Sequence, residues 1–168
     1  MPSAKNIVVV NSSPLIYLSA IQKVGILKKL FHEIIIPEAV KRELMSGGKD
    51  NFAFKEINSE KWIITKRIKN KLAKNYLLTD IDDGEAEVIV LAEELKAKTV
   101  IMDDRLGRRL AKLRGLNIIG TLRVLVSAKE KGMITEIKPL IKQIKEAGFW
   151  ISDDVQKAIL QQSKEWNI

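Results

Sequence analysis

The chain has 168 residues, 46% hydrophobic and 30% charged, with 4 prolines and 9 glycines, a composition that suits a single folded domain over 1–168. It contains no cysteine and a single histidine, His32, which excludes disulfide scaffolds, thiolate metal sites and thiol nucleophiles and leaves little room for a histidine-based triad. Lys and Arg number 29 against 21 Asp and Glu, and the resulting net charge of +8 points to an anionic partner.

The first element is a strand over 7–10, a β-branched run too short for a helix and apolar enough to be buried on both faces. Ser12, Ser13 and Pro14 open a helix carrying Leu15, Ile16, Leu18 and Ile21, and a second short helix covers 24–31. A strand over 33–36 follows, with His32 decorating the helix end before it, and Pro37 opens the next helix, which Gly47, Gly48, Lys49 and Asp50 end. The segment from there to Glu60 carries no clear pattern. A third strand over 62–65 leads into a polar, basic stretch over 66–75 and then a long helix over 83–96. The remainder reads as a strand over 99–102, a helix over 105–114, a strand over 117–119 and helices over 122–131, 136–147 and 152–163.

Strands alternating with helices predict an α/β fold with a mostly parallel sheet and helices on both faces. No apolar run approaches the roughly 20 residues that span a bilayer. The start, MPSAKNIVVV, lacks the apolar core and cleavage site of a signal peptide, so the expected location is the cytoplasm.

In such sheets ligands bind beyond the carboxyl ends of the strands, where the following helices also begin. That rule brings four distant segments to one rim: Asn11 with Ser12 and Ser13, then Glu43, Glu85, and the pair Asp103 and Asp104. Glu43 interrupts the apolar stripe Ile36, Ala39, Val40, Leu44, and Glu85 heads the stripe Val88, Ile89, Ala92, Leu95. Glu38 suits the dipole of its helix start, and Glu87 and Glu94 fall on another face that reads as solvated. Helix capping by each acid pair, and a salt bridge for Glu43, are the alternative reading. It explains poorly why several acids share one edge of a protein of net charge +8, whereas a divalent cation relieves their repulsion.

The segments N-S-S-P-L-I-Y-L, P-E-A-V-K-R-E-L, D-D-G-E-A-E-V-I-V-L-A and V-I-M-D-D-R-L-G-R-R-L-A resemble the PIN-domain nucleases. The resemblance is nearest to a prokaryotic, toxin-like subgroup with D-T-S-P-L-I and I-D-D-R-x-G-R-R motifs and a G-F-x-I-S-D ending. It implies a three-layer α/β/α sandwich around a sheet of about five strands. It also implies Mg²⁺- or Mn²⁺-dependent cleavage of single-stranded RNA, a toxin role opposite a small antitoxin protein, and a homodimer. Carried over by motif, the acids fall at Asn11, Glu43, Glu85 and either Asp104 or Asp103, with Asn11, Glu43, Glu85 and Asp104 as metal ligands. Ser13 matches the family hydroxyl that orients a ligand or water.

Position 11 is Asn where the family has Asp. An Asn carbonyl still suits a hard cation but brings no charge. A unit-charge pair near 4 Å at an effective dielectric near 20 interacts by about 4 kcal/mol, so weaker metal binding and reduced cleavage are expected. The alternative is a catalytically inactive PIN-like module that binds RNA or a protein partner.

For nucleic-acid binding the candidates are Arg105, Arg108 and Lys112, on one helix face directly after the acid pair. Arg109, on the same face, is the one expected to pair with an acid of the site, and a solvated face is the alternative for the whole run. A second basic stretch is Lys66, Arg67, Lys69, Lys71 and Lys74. Trp62, Trp150 and Trp166 are scattered and read as core or interface residues rather than a stacking platform. The helix from Leu15 to Ile21 suits core packing and a homodimer interface equally.

Overall fold

Val8, Val9 and Val10 have no side chain left in water, as a strand flanked on both edges and covered on both faces requires. They form β1 (Val8–Val10) in a computed structural model that describes residues 6–47 and 53–166. The other strands are β2 (Ile34–Pro37), β3 (Ile63–Lys66), β4 (Thr99–Ile101) and β5 (Ile118–Ile119). They pair in the order β3-β2-β1-β4-β5, and every pairing is parallel.

Ten helices among the described residues complete a three-layer α/β/α arrangement. Between β1 and β2 lie α1 (Ser12–Ala20) and α2 (Gly25–Phe31), and between β2 and β3 lie α3 (Glu38–Ser46) and α4 (Phe54–Ser59). The crossover from β3 to β4 holds α5 (Lys71–Leu77) and α6 (Asp83–Glu94), and α7 (Arg105–Leu113) joins β4 to β5. The chain ends with α8 (Thr121–Glu130), α9 (Lys138–Glu146) and α10 (Asp153–Gln162). His32 closes α2 with a positive φ of 68°. Of the expected stop signal after α3, Gly47 is its C-cap, and Gly48, Lys49 and Asp50 lie outside the described residues.

The apolar pattern produces one contiguous core. Leu15, Leu18 and Ile21 of the first helical segment are buried in it within the single chain. Trp62 is also buried, whereas Trp150 is 83% exposed and Trp166 is 42% exposed. Of the core and interface readings, Trp62 takes the first, whereas Trp150, in the turn between α9 and α10, faces water and is not a core residue.

One charged segment gains an element and one expectation is corrected. The basic stretch after β3 contains α5, which the sequence pattern does not assign. Asn70 caps that helix by accepting from the amide of Ala73 (3.0 Å), and Glu94 accepts from the amides of Lys69 and Asn70 (2.8 and 2.7 Å). Glu87 is not solvated but 5% exposed; it accepts from the Ala39 amide at the start of α3 (3.0 Å) and from Lys74 Nζ on α5 (2.6 Å). A buried carboxylate is tolerated here because it is both paired and hydrogen-bonded. It ties α3 and α5 to α6.

The strand order fixes where a ligand can enter. The chain lays β2 and β3 on one side of β1, then crosses back to place β4 and β5 on the other. The reversal lies between β1 and β4, and the crevice of a parallel sheet opens at the carboxyl ends of such a pair. Asn11 follows one of these strands and Asp103 the other by a single intervening residue, Met102.

Candidate active site

Asn11 is locked at the end of β1 by donating its amide to the carbonyl of Ile101 (3.0 Å). Its backbone is extended and it precedes α1 as N-cap, but its side chain caps nothing. The residue is 4% exposed, and its Oδ1 is buried with no hydrogen-bond partner. A buried, unpaired carbonyl oxygen costs about 1–3 kcal/mol, so this atom is held for something other than stability.

Glu43 reaches toward the same place from α3, which packs closely on α6. The meeting point is Gly84 in the first turn of α6. A methyl group there would lie 2.9 Å from Glu43 Oε2 and 3.6 Å from Asn11 Oδ1. Glycine is thus the residue that lets both oxygens approach the helix backbone. Ser12 donates its hydroxyl to Glu43, while partial burial, with repulsion from Asp82 and Asp83, pushes the Glu43 carboxyl above its usual range. Ser12 is buried and Ser13, the residue singled out by the family motif, is partly buried beside it.

Glu85 enters from the start of α6. Asp82 accepts from the Glu85 amide (2.8 Å) and Glu85 Oε2 accepts from the Asp82 amide (3.2 Å), a reciprocal capping box. Burial and the charge of Asp82, with further repulsion from Asp104 and Glu43, raise its carboxyl to about 7. Capping and proximity to other acids therefore coexist in one side chain.

The two aspartates after β4 separate. Asp103 accepts from the amide and hydroxyl of Thr121 (2.8 and 2.6 Å) at the start of α8. Burial pushes its carboxyl up, against those two bonds and the nearby Arg108 guanidinium. Asp104 caps α7 by accepting from the Gly107 amide (2.7 Å) and remains exposed on the rim. A methyl group at Gly107 would lie 2.7 Å from Met102 Sδ, which makes the close approach there, with Asp104 Oδ2 at 3.4 Å and the Glu85 carboxyl carbon at 3.7 Å.

The basic face also divides, and not as expected. Arg108 turns inward, donating Nη1 to the Met102 carbonyl (3.2 Å) beside Asp103. Arg109, the residue expected to pair with a site acid, is exposed, as are Arg105 and Lys112. In the second basic stretch Arg67 pairs with Glu38 and Lys74 with Asp83 and Glu87, which assigns both to holding elements together.

A model of a PIN-domain family matches residues 7–165, nearly the whole chain. The protein is a PIN-domain protein. No curated protein matches its sequence. PIN domains are a nuclease fold that generally works with divalent metal ions, and no helix among the described residues of this one is long and apolar enough to cross a membrane.

The residues of this PIN domain fit a hard divalent cation. All the donors at the rim are oxygens, one of them orphaned, and burial, with repulsion from neighbouring acids, raises the proton affinity of Glu43 and Glu85. Among the described residues no three acidic or histidine side chains form a ready-made cage. The fit is therefore to an ion that keeps several of its waters, as Mg²⁺ does.

Sequence reasoning placed Ser12 on the rim without a role, and missed Gly84 and Gly107 as parts of the site. The two glycines were visible inside the D-D-G-E and D-D-R-L-G-R-R segments, where a glycine in the first turn of a helix sacrifices about 1 kcal/mol relative to alanine. That sacrifice is the signal of a close approach.

Proposed function

We propose that this PIN domain is a metal-dependent endoribonuclease of toxin type, cutting single-stranded RNA in the cytoplasm and restrained by a small antitoxin protein. The observation that carries the reading is the convergence of an unpartnered buried Asn11 Oδ1 and Glu43 Oε2 on Gly84, beside a Glu85 carboxyl raised to about 7. An unsatisfied oxygen beside proton-hungry carboxylates at a sheet's switch point is what a cation-binding rim is expected to display.

A bound Mg²⁺ or Mn²⁺ would lower the pKa of an attacking water and offset charge building on the scissile phosphate. Asn11, Glu43, Glu85 and Asp104 would hold it, directly or through water. Ser12 fixes the Glu43 carboxylate, and Ser13, one position on, is placed to orient water at the same helix start. Near neutral pH Glu85 is poised between its two protonation states, so it can take up or release a proton at the rim. Asp103 supports the site from behind by closing α8, and the helix starts set the spacing of the remaining acids. A homodimer is part of the same proposal.

The second reading is a PIN-like module that binds RNA or a protein without cutting, favoured by the charge missing at position 11. The two are separated by assaying wild type, Asn11→Asp and Asp104→Ala on single-stranded RNA with Mg²⁺ or Mn²⁺. Cleavage by wild type that disappears in Asp104→Ala supports the enzyme. Cleavage only after Asn11→Asp supports the module. Cleavage by neither removes the nuclease reading.

A further inference from the structure

A groove of about 930 Å³ opens beside Asp104, between α7 and the turn that joins α9 to α10. Its two walls differ in chemistry. On α7, Arg105, Arg109 and Lys112 recur at helical spacing, and among the described residues none of the three has a carboxylate partner. Opposite them stand Trp150, Phe149, Ile151 and Val155. Phe149 is anchored edge-on against Tyr17, with ring centroids 4.8 Å apart. Trp150, its neighbour in the chain, is 83% exposed and meets no other aromatic ring among the described residues. An indole left in water beside three unpaired cations has the form of a binding surface rather than of a packing element.

We infer that this groove is a subsite for single-stranded nucleic acid, in which Trp150 stacks on an unpaired base while Arg105, Arg109 and Lys112 hold the adjoining phosphates. A nucleotide strand alternates a flat π face with a negative charge, and the groove offers the matching pair of walls. A duplex cannot use it, because its bases are already stacked on one another. A partner helix from a protein is the poorer match: Leu113, Leu122 and Ile159 add apolar surface to the groove, but Arg105, Arg109 and Lys112 interrupt it along α7, where an apolar helix face would bury their charges unpaired. The inference rests on the nuclease reading only in taking the strand onward to Asp104; the groove itself is defined by its own residues.

The test uses the full chain carrying Glu43→Gln, in EDTA, with a short fluorescein-labelled single-stranded RNA, so that binding is read without cleavage. Trp150→Ala is expected to weaken binding by about tenfold, and Trp150→Phe to retain most of it. Trp150 is exposed, so neither substitution disturbs the core, and circular dichroism checks this. Lys112→Ala is expected to flatten the slope of log affinity against log salt by about 0.7. Single-stranded DNA of the same sequence shows whether the sugar matters, and duplex RNA is expected to be insensitive to Trp150→Ala.

Unchanged affinity of Trp150→Ala for the single strand overturns the inference, as does an equal loss for the duplex. A tryptophan emission change with an acidic amphipathic peptide that is lost in Trp150→Ala, with none on adding RNA, also overturns it and reassigns the groove to a protein partner. Cleavage by the wild type is measured separately. Trp150-dependent binding without cleavage removes the nuclease reading and keeps the groove; cleavage without Trp150 dependence does the reverse.

Discussion

Asp103 and Asp104 are consecutive in the chain yet close two different helices. Asp103 accepts from the Thr121 amide at 2.8 Å to start α8, and Asp104 accepts from the Gly107 amide at 2.7 Å to start α7. Their substitutions should therefore fail differently. Asp103→Ala leaves two donors of Thr121 unpaired and is expected to cost about 1–3 kcal/mol of stability. Asp104→Ala loses one cap, about 1 kcal/mol, while abolishing cleavage. Thermal melts and RNA cleavage on the same preparations check this. A stable Asp103→Ala without activity, beside an active Asp104→Ala, would reverse the assignment.

Gly84→Ala isolates the close approach in the site. The added methyl would gain up to about 1 kcal/mol of helix propensity. It would also lie 2.9 Å from Glu43 Oε2, which is the end of a flexible side chain and gives way. The fold should survive with a melting temperature near that of wild type. Metal affinity, read as the shift of melting temperature with added Mn²⁺, should fall by about tenfold or more. An unaltered Mn²⁺ response would remove Gly84 from the site.

Glu85 sets a pH dependence whose sign is fixed by its raised carboxyl. Between its ordinary 4.5 and about 7, the folded protein holds a proton that the unfolded chain has released. Stability in EDTA should therefore fall as pH rises through that window, Glu43 and Asp103 adding in the same direction. Glu85→Gln keeps an acceptor for the Asp82 amide and removes the charge. It should raise the melting temperature at pH 8 and leave it nearly unchanged at pH 4. A destabilised Glu85→Gln at pH 8 would show that the raised carboxyl is not a source of strain.

Asn11→Asp tests the missing charge directly. In EDTA near pH 7 the fourth acid should lower the melting temperature, because it joins Glu43 and Glu85 without a counterion. With Mg²⁺ or Mn²⁺ the order should invert, and cleavage should rise by about tenfold or more. Equal responses of both proteins to metal would mean that position 11 does not face the ion.

The rim itself was legible in the sequence because it follows from topology. Asn11, Glu85 and Asp104 each sit where a strand ends or a helix begins, and those boundaries are marked by apolar runs and capping residues. The parallel sheet was legible for the same reason. What stayed hidden depends on tertiary partners. Nothing in the periodicity of α6 distinguishes Glu87, which is buried against Ala39 and Lys74, from a solvated acid on the same helix. Lys66 to Asn75 reads only as a polar, basic stretch because α5 owes its place to Glu94 and Glu87, both distant in sequence. Likewise the exchange of Arg109 for Arg108 as the inward residue is decided by where the Met102 carbonyl points.

One helix carries both Asp104 and the side chains proposed to hold the RNA phosphates. Asp104 stands at the start of α7, and Lys112 lies just over two turns along it, roughly 12 Å at the usual rise per residue. A helix neither stretches nor slides against its own cap, so the interval between the grip on the strand and the acid is set by covalent geometry. Such a rod acts as a ruler. Strands of different sequence held in the groove would be cut at a constant offset from the phosphate gripped by Lys112, and lengthening α7 by one turn between Asp104 and Lys112 would move the cut without altering the acids that make it.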